Sequence, residues 1–161
     1  MATGGDENGN SLDKDGDEPV FSVIHKKGDL FSCDACESLA HCVSKDLRMG
    51  KGIATLFKQK FQGLSDLKAQ AKDVGDVAVL KRDGRFIYYL ITKPQYFNKP
   101  TYKTLEQSLQ AMKAHCVEND VKAVSMPRIG CGLDKLVWPK VEEILKKLFQ
   151  DSDIVITVYS F

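Results

Sequence analysis

Three features of this 161-residue chain have residue types and spacings that could do chemistry. The first is Lys93, which follows the apolar run Phe86-Ile87-Tyr88-Tyr89-Leu90-Ile91-Thr92 and precedes Pro94. Proline disfavours helical backbone in the residue before it, so Lys93 is expected to be extended at a strand end. Alternation puts it on the face of Ile87, Tyr89 and Ile91. A lysine partly desolvated on such a face favours the neutral amine, a nucleophile able to form Schiff bases with carbonyl carbons. On position alone the commoner fate of a strand-end lysine is to pack its stem while its ammonium reaches water.

The second feature is the stretch Ser125-Met126-Pro127-Arg128-Ile129-Gly130-Cys131-Gly132-Leu133-Asp134. An apolar run ends at Met126, two glycines follow, and an acid closes the loop before the next helix. In an α/β domain this puts an amide-rich loop at the carboxyl end of a strand, where anionic ligands are usually held. The amides of Ile129 to Leu133 could form an anion-binding nest, with Arg128 adding charge. A Gly-x-Gly pair also serves simply to relieve a tight turn. Asp134 fits a general acid/base beside an apolar loop, and equally a turn aspartate bonding nearby amides. The third feature, Arg48-Met49-Gly50-Lys51-Gly52, also follows a strand and opens a helix, whose N-terminal amides would attract phosphate. Two such loops offer a diphosphate donors on both sides.

Other reactive side chains read more plainly. Cys33-Asp34-Ala35-Cys36, with His41 and Cys42 nearby, lacks the second pair that would close a four-ligand zinc site. It does not open a helix after a strand, as a thioredoxin-like motif should. No metal and no cofactor are expected. Cys131 is expected to be a small filler. His41 in an apolar strand and His115 on a helix are expected to be packed or surface residues.

The elements that must position these residues can be read from periodicity. Val20, Phe21, Val23 and Ile24 form a first strand ending at Lys27-Gly28-Asp29. Ser38 to Val43 form a second. Ile53 to Phe61 fit a helix with Ile53, Leu56, Phe57 and Phe61 on one face. Gly63 breaks it, and Leu64 to Ala71 read as a shorter helix. Asp76 to Lys81 and Arg85 to Thr92 flank Asp83-Gly84 as a tight β-hairpin. Its second strand is apolar on both faces and so belongs inside the sheet. A helix begins at Thr101 or Thr104 and reaches about Asn119, burying Leu105, Leu109, Met112 and Cys116. Val121 to Met126 form a strand. Pro139 starts a helix with Val141, Ile144, Leu145, Leu148 and Phe149 on its apolar face, and Ile154 to Tyr159 form the last strand. Strands alternating with helices predict a three-layer α/β/α domain around a mixed central sheet. The hairpin argues against an all-parallel arrangement.

Composition bounds the rest. Hydrophobic residues make up 43% and charged residues 28%, ordinary for one globular domain. The formal charge of +1 conceals an asymmetry. Residues 1–19 hold six acids against Lys14 alone, a net of −5, which leaves +6 for residues 20–161. That acidic stretch has hardly an apolar side chain and is expected to be a disordered tail, with the folded domain spanning residues 20–161. A moderately basic body suits a phosphate-bearing ligand better than a bulk nucleic-acid binder, so no direct nucleic-acid readout is expected. No run approaches the ~20 apolar residues of a membrane span, and no membrane partner is expected. An odd set of five cysteines without a secretory pattern at Met1-Ala2-Thr3 points to reduced thiols in the nucleus or cytosol.

At Lys27-Gly28-Asp29-Leu30-Phe31, Ser38 to Cys42, Arg48 to Ala54, Val77 to Lys93 and Ser125 to Asp134, the chain resembles the macrodomain family. Within it, the resemblance is to the branch that removes ADP-ribose from proteins and deacylates O-acetyl-ADP-ribose. It runs from about Val20 to Phe161. It implies a macrodomain fold and recognition of ADP-ribose, ADP-ribosylated proteins and poly-ADP-ribose by a monomer acting in the nucleus. By the same resemblance Asp29 and Leu30 meet the adenine end. Ser44, Gly50 and Gly52, with Arg128, Ile129, Gly130, Cys131, Gly132 and Leu133, line the diphosphate and distal ribose. Phe161 stands where the family's C-terminal residue approaches the ligand, although leucine is usual there. Lys93 matches a catalytic lysine and Asp134 a catalytic acid. The implied reaction is attack of Lys93 on the anomeric carbon of the distal ribose, expelling a Glu or Asp side chain and leaving a lysyl–ribose intermediate. The alternative is a module that binds ADP-ribose without turnover. Ala40-His41-Cys42-Val43-Ser44 replaces the asparagine-rich strand end of the commoner hydrolytic macrodomains, so their water-activation scheme does not transfer.

Overall fold

The computed structural model describes residues 21–161; the tail expected over residues 1–19 lies outside them. Among the described residues six strands form one sheet, β1 (Ile24–Lys27), β2 (Ser38–Ser44), β3 (Val77–Arg82), β4 (Arg85–Lys93), β5 (Ala123–Pro127) and β6 (Val155–Ser160), in the order β1-β6-β5-β2-β4-β3. Five run parallel, and β3 pairs antiparallel with β4 at one edge. The expected mixed sheet is therefore present. The helices of the described residues that cover it are α1 (Ile53–Phe61), α2 (Leu64–Ala69), α3 (Tyr102–Glu118) and α4 (Trp138–Phe149).

The hairpin forms as the sequence suggests. Asp83 and Gly84 both take positive φ, 54° and 83°, as a two-residue turn that follows the strand twist requires. β4 lies between β2 and β3 and is buried from Ile87 to Thr92. Both candidate starts of α3 take part in its cap: the Thr101 hydroxyl accepts from the Thr104 amide, and the Thr104 hydroxyl accepts from the Thr101 amide. The stripe Leu105, Leu109, Met112 and Cys116 is fully buried against one face of the sheet, together with Val141, Leu145, Leu148 and Phe149 of α4. Each such side chain contributes about 1.5–3 kcal/mol of burial. Phe57, Phe61 and Leu67 of α1 and α2 pack on the opposite face, against Leu39, Val43, Ile87, Tyr89 and Ile91.

Among the differences from expectation, one strand start and one register shift stand out. The first strand begins at Ile24 rather than Val20. Among the described residues its partner is β6, where the ladder runs from Ile24 to Lys27, and Val23 packs into the core ahead of that ladder. The second difference bears on the site. β2 and β4 pair in step from Leu39 with Ile87 to Val43 with Ile91, but Ser44 then pairs with Lys93. Thr92 is the extra residue. A bulge of this kind re-aims the side chain beyond it, so the alternation that would align Lys93 with Ile87, Tyr89 and Ile91 ends one residue short.

His41 is packed, as expected, and has a thermodynamic consequence. It is fully buried on β2, with its ring 3.7 Å from that of Phe57 and nearly parallel to it. Neither ring nitrogen has a hydrogen-bond partner among the described residues. Burial pushes its pKa down from 6.5 to about 3. Between these values the unfolded chain binds a proton that the folded chain does not, so stability falls as pH drops through that window. The slope from this one group is about 1.4 kcal/mol per pH unit. Urea unfolding of His41→Leu between pH 6.5 and 4 is expected to show a shallower acid slope by about that amount; an unchanged slope would contradict the assignment.

Candidate active site

All five parallel strands point their carboxyl ends to one edge of the sheet, and the candidate residues gather there. The strand order sets their sequence along that edge: Gly28 and Asp29 after β1, Phe161 after β6, Arg128 to Asp134 after β5, Ser44 to Gly52 after β2, and Lys93 ending β4. From β1 to β4 is four strand spacings, roughly 19 Å. The chain leaves β2 toward α1 on one face and leaves β4 through α3 on the other to reach β5. The crevice between β2 and β5 is thus a topological switch point, the usual ligand position in an open α/β sheet.

The centre of this edge is an ion pair. Lys93 Nζ lies 2.7 Å from Asp134 Oδ1, and the two side chains are only 15% and 17% exposed. The contact reaches from the end of β4 to the loop after β5, across the end of β2. Cys42 of β2 senses both charges. Burial, reinforced by the Asp134 carboxylate, pushes its thiol up to about 12, so a neutral group lies beside the pair.

Both glycine loops are shaped for close approach. Gly130 and Gly132 take φ of 75° and 76°, and the Leu136 amide donates to the Gly130 carbonyl at 2.7 Å. The amides of Gly132 and Leu133 have no protein acceptor among the described residues. Across the crevice, Gly52 at φ 61° caps α1 without a side-chain hydrogen bond, leaving that helix terminus open to an anion. A Cβ placed on Gly52 would stand 3.4 Å from Leu133 Cδ1, so the two loops meet there. Leu133 is itself 65% exposed.

The remaining candidates divide by burial. Leu30 and Ile129 are buried, so any contact they make with a ligand is through their backbone. Gly50 is exposed, and Arg128 is exposed with its guanidinium 5.6 Å from the Trp138 ring centre. Asp29 is exposed and accepts from the Phe31 amide at 3.0 Å. Phe161 is almost fully exposed and follows Ser160, whose carbonyl accepts from Gly28, so it stands beside Asp29 at the β1 end. Cys131 is half-buried, and burial raises its thiol pKa, in keeping with a filler. Cys33 and Cys36 are free thiols. Among the described residues no group of three or more His, Cys, Asp or Glu side chains is placed to hold a metal. A concavity of about 650 Å³, lined by residues including Lys113, Lys122, Asp151 and Asp153, opens at the other edge of the sheet and holds none of these groups.

One organising residue escaped the sequence reading. The Asp46 carboxylate accepts from the Ser44 hydroxyl at 2.5 Å, the Arg48 amide at 3.2 Å and the Tyr96 amide at 3.0 Å. Desolvation opposes its charge, but these three donors outweigh it and hold the carboxyl below its ordinary value. Asp46 thereby ties the end of β2 and the start of the Gly50 loop to the segment after Lys93. The Ser-x-Asp at the close of an apolar strand was its only local signal, since aspartates there commonly bond amides two residues on.

The sequence pattern of the Macro domain family matches residues 40–145, and the chain belongs to that family. Among curated proteins it is 57% identical over 138 residues to the human (Homo sapiens) ADP-ribose glycohydrolase OARD1, covering 86% of this chain and 91% of the relative. The solved macrodomain of Mycobacterium tuberculosis DarG matches with a TM-score of 0.77 at 26% identity, over 86% of this chain and 97% of that one. Thermosipho africanus DarTG in complex with ADP-ribose matches with a TM-score of 0.71 at 22% identity, over 84% of this chain and 41% of that one. At that identity the last likeness concerns the fold.

The two loop glycines separate experimentally. Alanine at Gly132 meets no neighbour and bears only the left-handed backbone, about 1 kcal/mol. At Gly130 the added Cβ would also stand 2.8 Å from Leu136 Cδ1, so Gly130→Ala is expected to cost about 2 kcal/mol or more. Denaturant unfolding of both variants checks the order; equal losses would contradict it.

Proposed function

We propose that the protein is an ADP-ribose glycohydrolase that frees ADP-ribose from Glu and Asp side chains of modified proteins, with Lys93 as nucleophile. The observation that carries this reading is the 2.7 Å contact of Lys93 with Asp134 at the end of a loop-lined crevice, in a chain 57% identical to proteins named ADP-ribose glycohydrolase. The edge from β1 to β4 has room for an extended ligand. Asp29, the Leu30 backbone and Phe161 would receive the adenosine end. Gly132, Leu133 and the α1 terminus would receive the diphosphate, with Ser44 behind it and Arg128 adding positive charge.

The chemistry follows from the pair. As an ion pair the lysine is an ammonium and cannot attack, so the proton must move to Asp134 once the ligand has displaced water. The neutral Nζ then forms a bond to the anomeric carbon of the distal ribose as the bond from that carbon to the acceptor oxygen breaks. The acceptor carboxylate leaves with the electron pair. Asp134 returns and removes protons as the lysyl–ribose adduct forms, and water then cleaves the adduct, freeing ADP-ribose and regenerating Lys93. O-acyl-ADP-ribose carries the same ADP-ribosyl group, and its deacylation belongs to the same site.

Lys93→Ala is expected to bind ADP-ribose within a few-fold of the unmutated protein while release from a glutamate-modified protein falls by at least about a thousandfold, the scale of losing a covalent nucleophile. Calorimetry and a release assay read the two. Unchanged release would overturn the lysine mechanism. Binding without any release by the unmutated protein would favour a module that only reads ADP-ribose.

A further inference from the structure

The segment Pro94-Gln95-Tyr96-Phe97-Asn98-Lys99 begins one residue after the nucleophile and is built as a rigid, aromatic-tipped turn. The Asn98 amide donates to the Gln95 carbonyl at 2.9 Å, and the Gln95 amide donates to Asn98 Oδ1 at 2.9 Å, so the turn is closed from both ends. Tyr96 and Phe97 occupy its two central positions. Tyr96 is fastened to the other wall of the crevice: its amide donates to Asp46, and the Arg48 guanidinium lies 4.3 Å from its ring centre. Asp46 is held in turn by Ser44, the register partner of Lys93. Phe97 packs edge-on to Tyr96, with ring centres 5.4 Å apart at 88°, yet remains 66% exposed.

We infer that this turn recognises the acceptor side of the substrate, with Phe97 packing against the polypeptide that flanks the ADP-ribosylated residue. The inference rests on the glycohydrolase reading. The stretch of the edge from β1 to β2 is taken up by the adenosine, diphosphate and ribose, so the acceptor chain must lie at the β4 end, where the turn stands. A large apolar ring held there by two closing hydrogen bonds and an anchored neighbour has little conformational freedom to lose on contact, which makes it an efficient binding group. A small O-acyl-ADP-ribose has no polypeptide to reach it.

Kinetics of Phe97→Ala on two substrates test this. On a glutamate-ADP-ribosylated protein, kcat/KM is expected to fall about tenfold, the loss of one well-placed aromatic contact. Deacylation of O-acetyl-ADP-ribose is expected to keep its rate. Phe97→Tyr should recover most of the loss on protein. Equal kcat/KM on the protein substrate would overturn the inference, and so would an equal fall on both substrates, which would place Phe97 in the ligand cleft itself. If the unmutated protein processes neither substrate, the glycohydrolase reading fails and takes this inference with it.

Discussion

The contact between Lys93 and Asp134 is the interaction around which the carboxyl edge of the sheet is organised. Two opposite charges with so little exposure are costly to remove from water, and their attraction repays this only when the geometry is good. Removing either partner alone would leave an uncompensated charge in the crevice. Such pairs seldom add net stability; on the proposed mechanism the pair's worth lies in its chemistry, because a carboxylate beside an ammonium keeps the proton on the amine until a ligand arrives and can accept it afterwards.

Bringing the pair together required cooperation between distant parts of the chain. The lysine closes β4 and the aspartate lies 41 residues later, on a loop that folds back through two left-handed glycines. β2 runs between their strands and contributes no charge there, only the half-buried Cys42 and the end residue Ser44. Asp46 then fixes what flanks the pair. By accepting from Ser44, Arg48 and Tyr96 at once, it ties the start of the Gly50 loop to the turn that follows Lys93. On the opposite side Gly52 approaches Leu133 closely enough that an added Cβ would reach van der Waals contact.

Much of this was legible in the sequence because local rules govern it. The Asp83-Gly84 turn, the stripe of α3 and Pro139 at the start of α4 each follow from short-range sterics or periodicity. Three features were not legible. The β2–β4 register shift arises from strand pairing, and no local pattern at Thr92 announces it, so the regular alternation stops one residue short of Lys93. β1 starts late because its ladder depends on β6, 133 residues away at the Ile24–Thr157 pair. Asp46 looked like any loop acid, because two of its donors are near in sequence but the third, Tyr96, is 50 residues away. The glycine loops were intermediate cases. Their residue types suggested an anion site, but only the sheet order placed both on one crevice.

The central claim is that Lys93 forms a bond to the distal ribose. Turnover of a glutamate-ADP-ribosylated protein in the presence of cyanoborohydride, followed by mass spectrometry of the digested enzyme, tests it directly. The account predicts an ADP-ribose adduct on the peptide containing Lys93, accompanied by loss of activity as the adduct accumulates. Undiminished turnover in the reductant with Lys93 unmodified would contradict it.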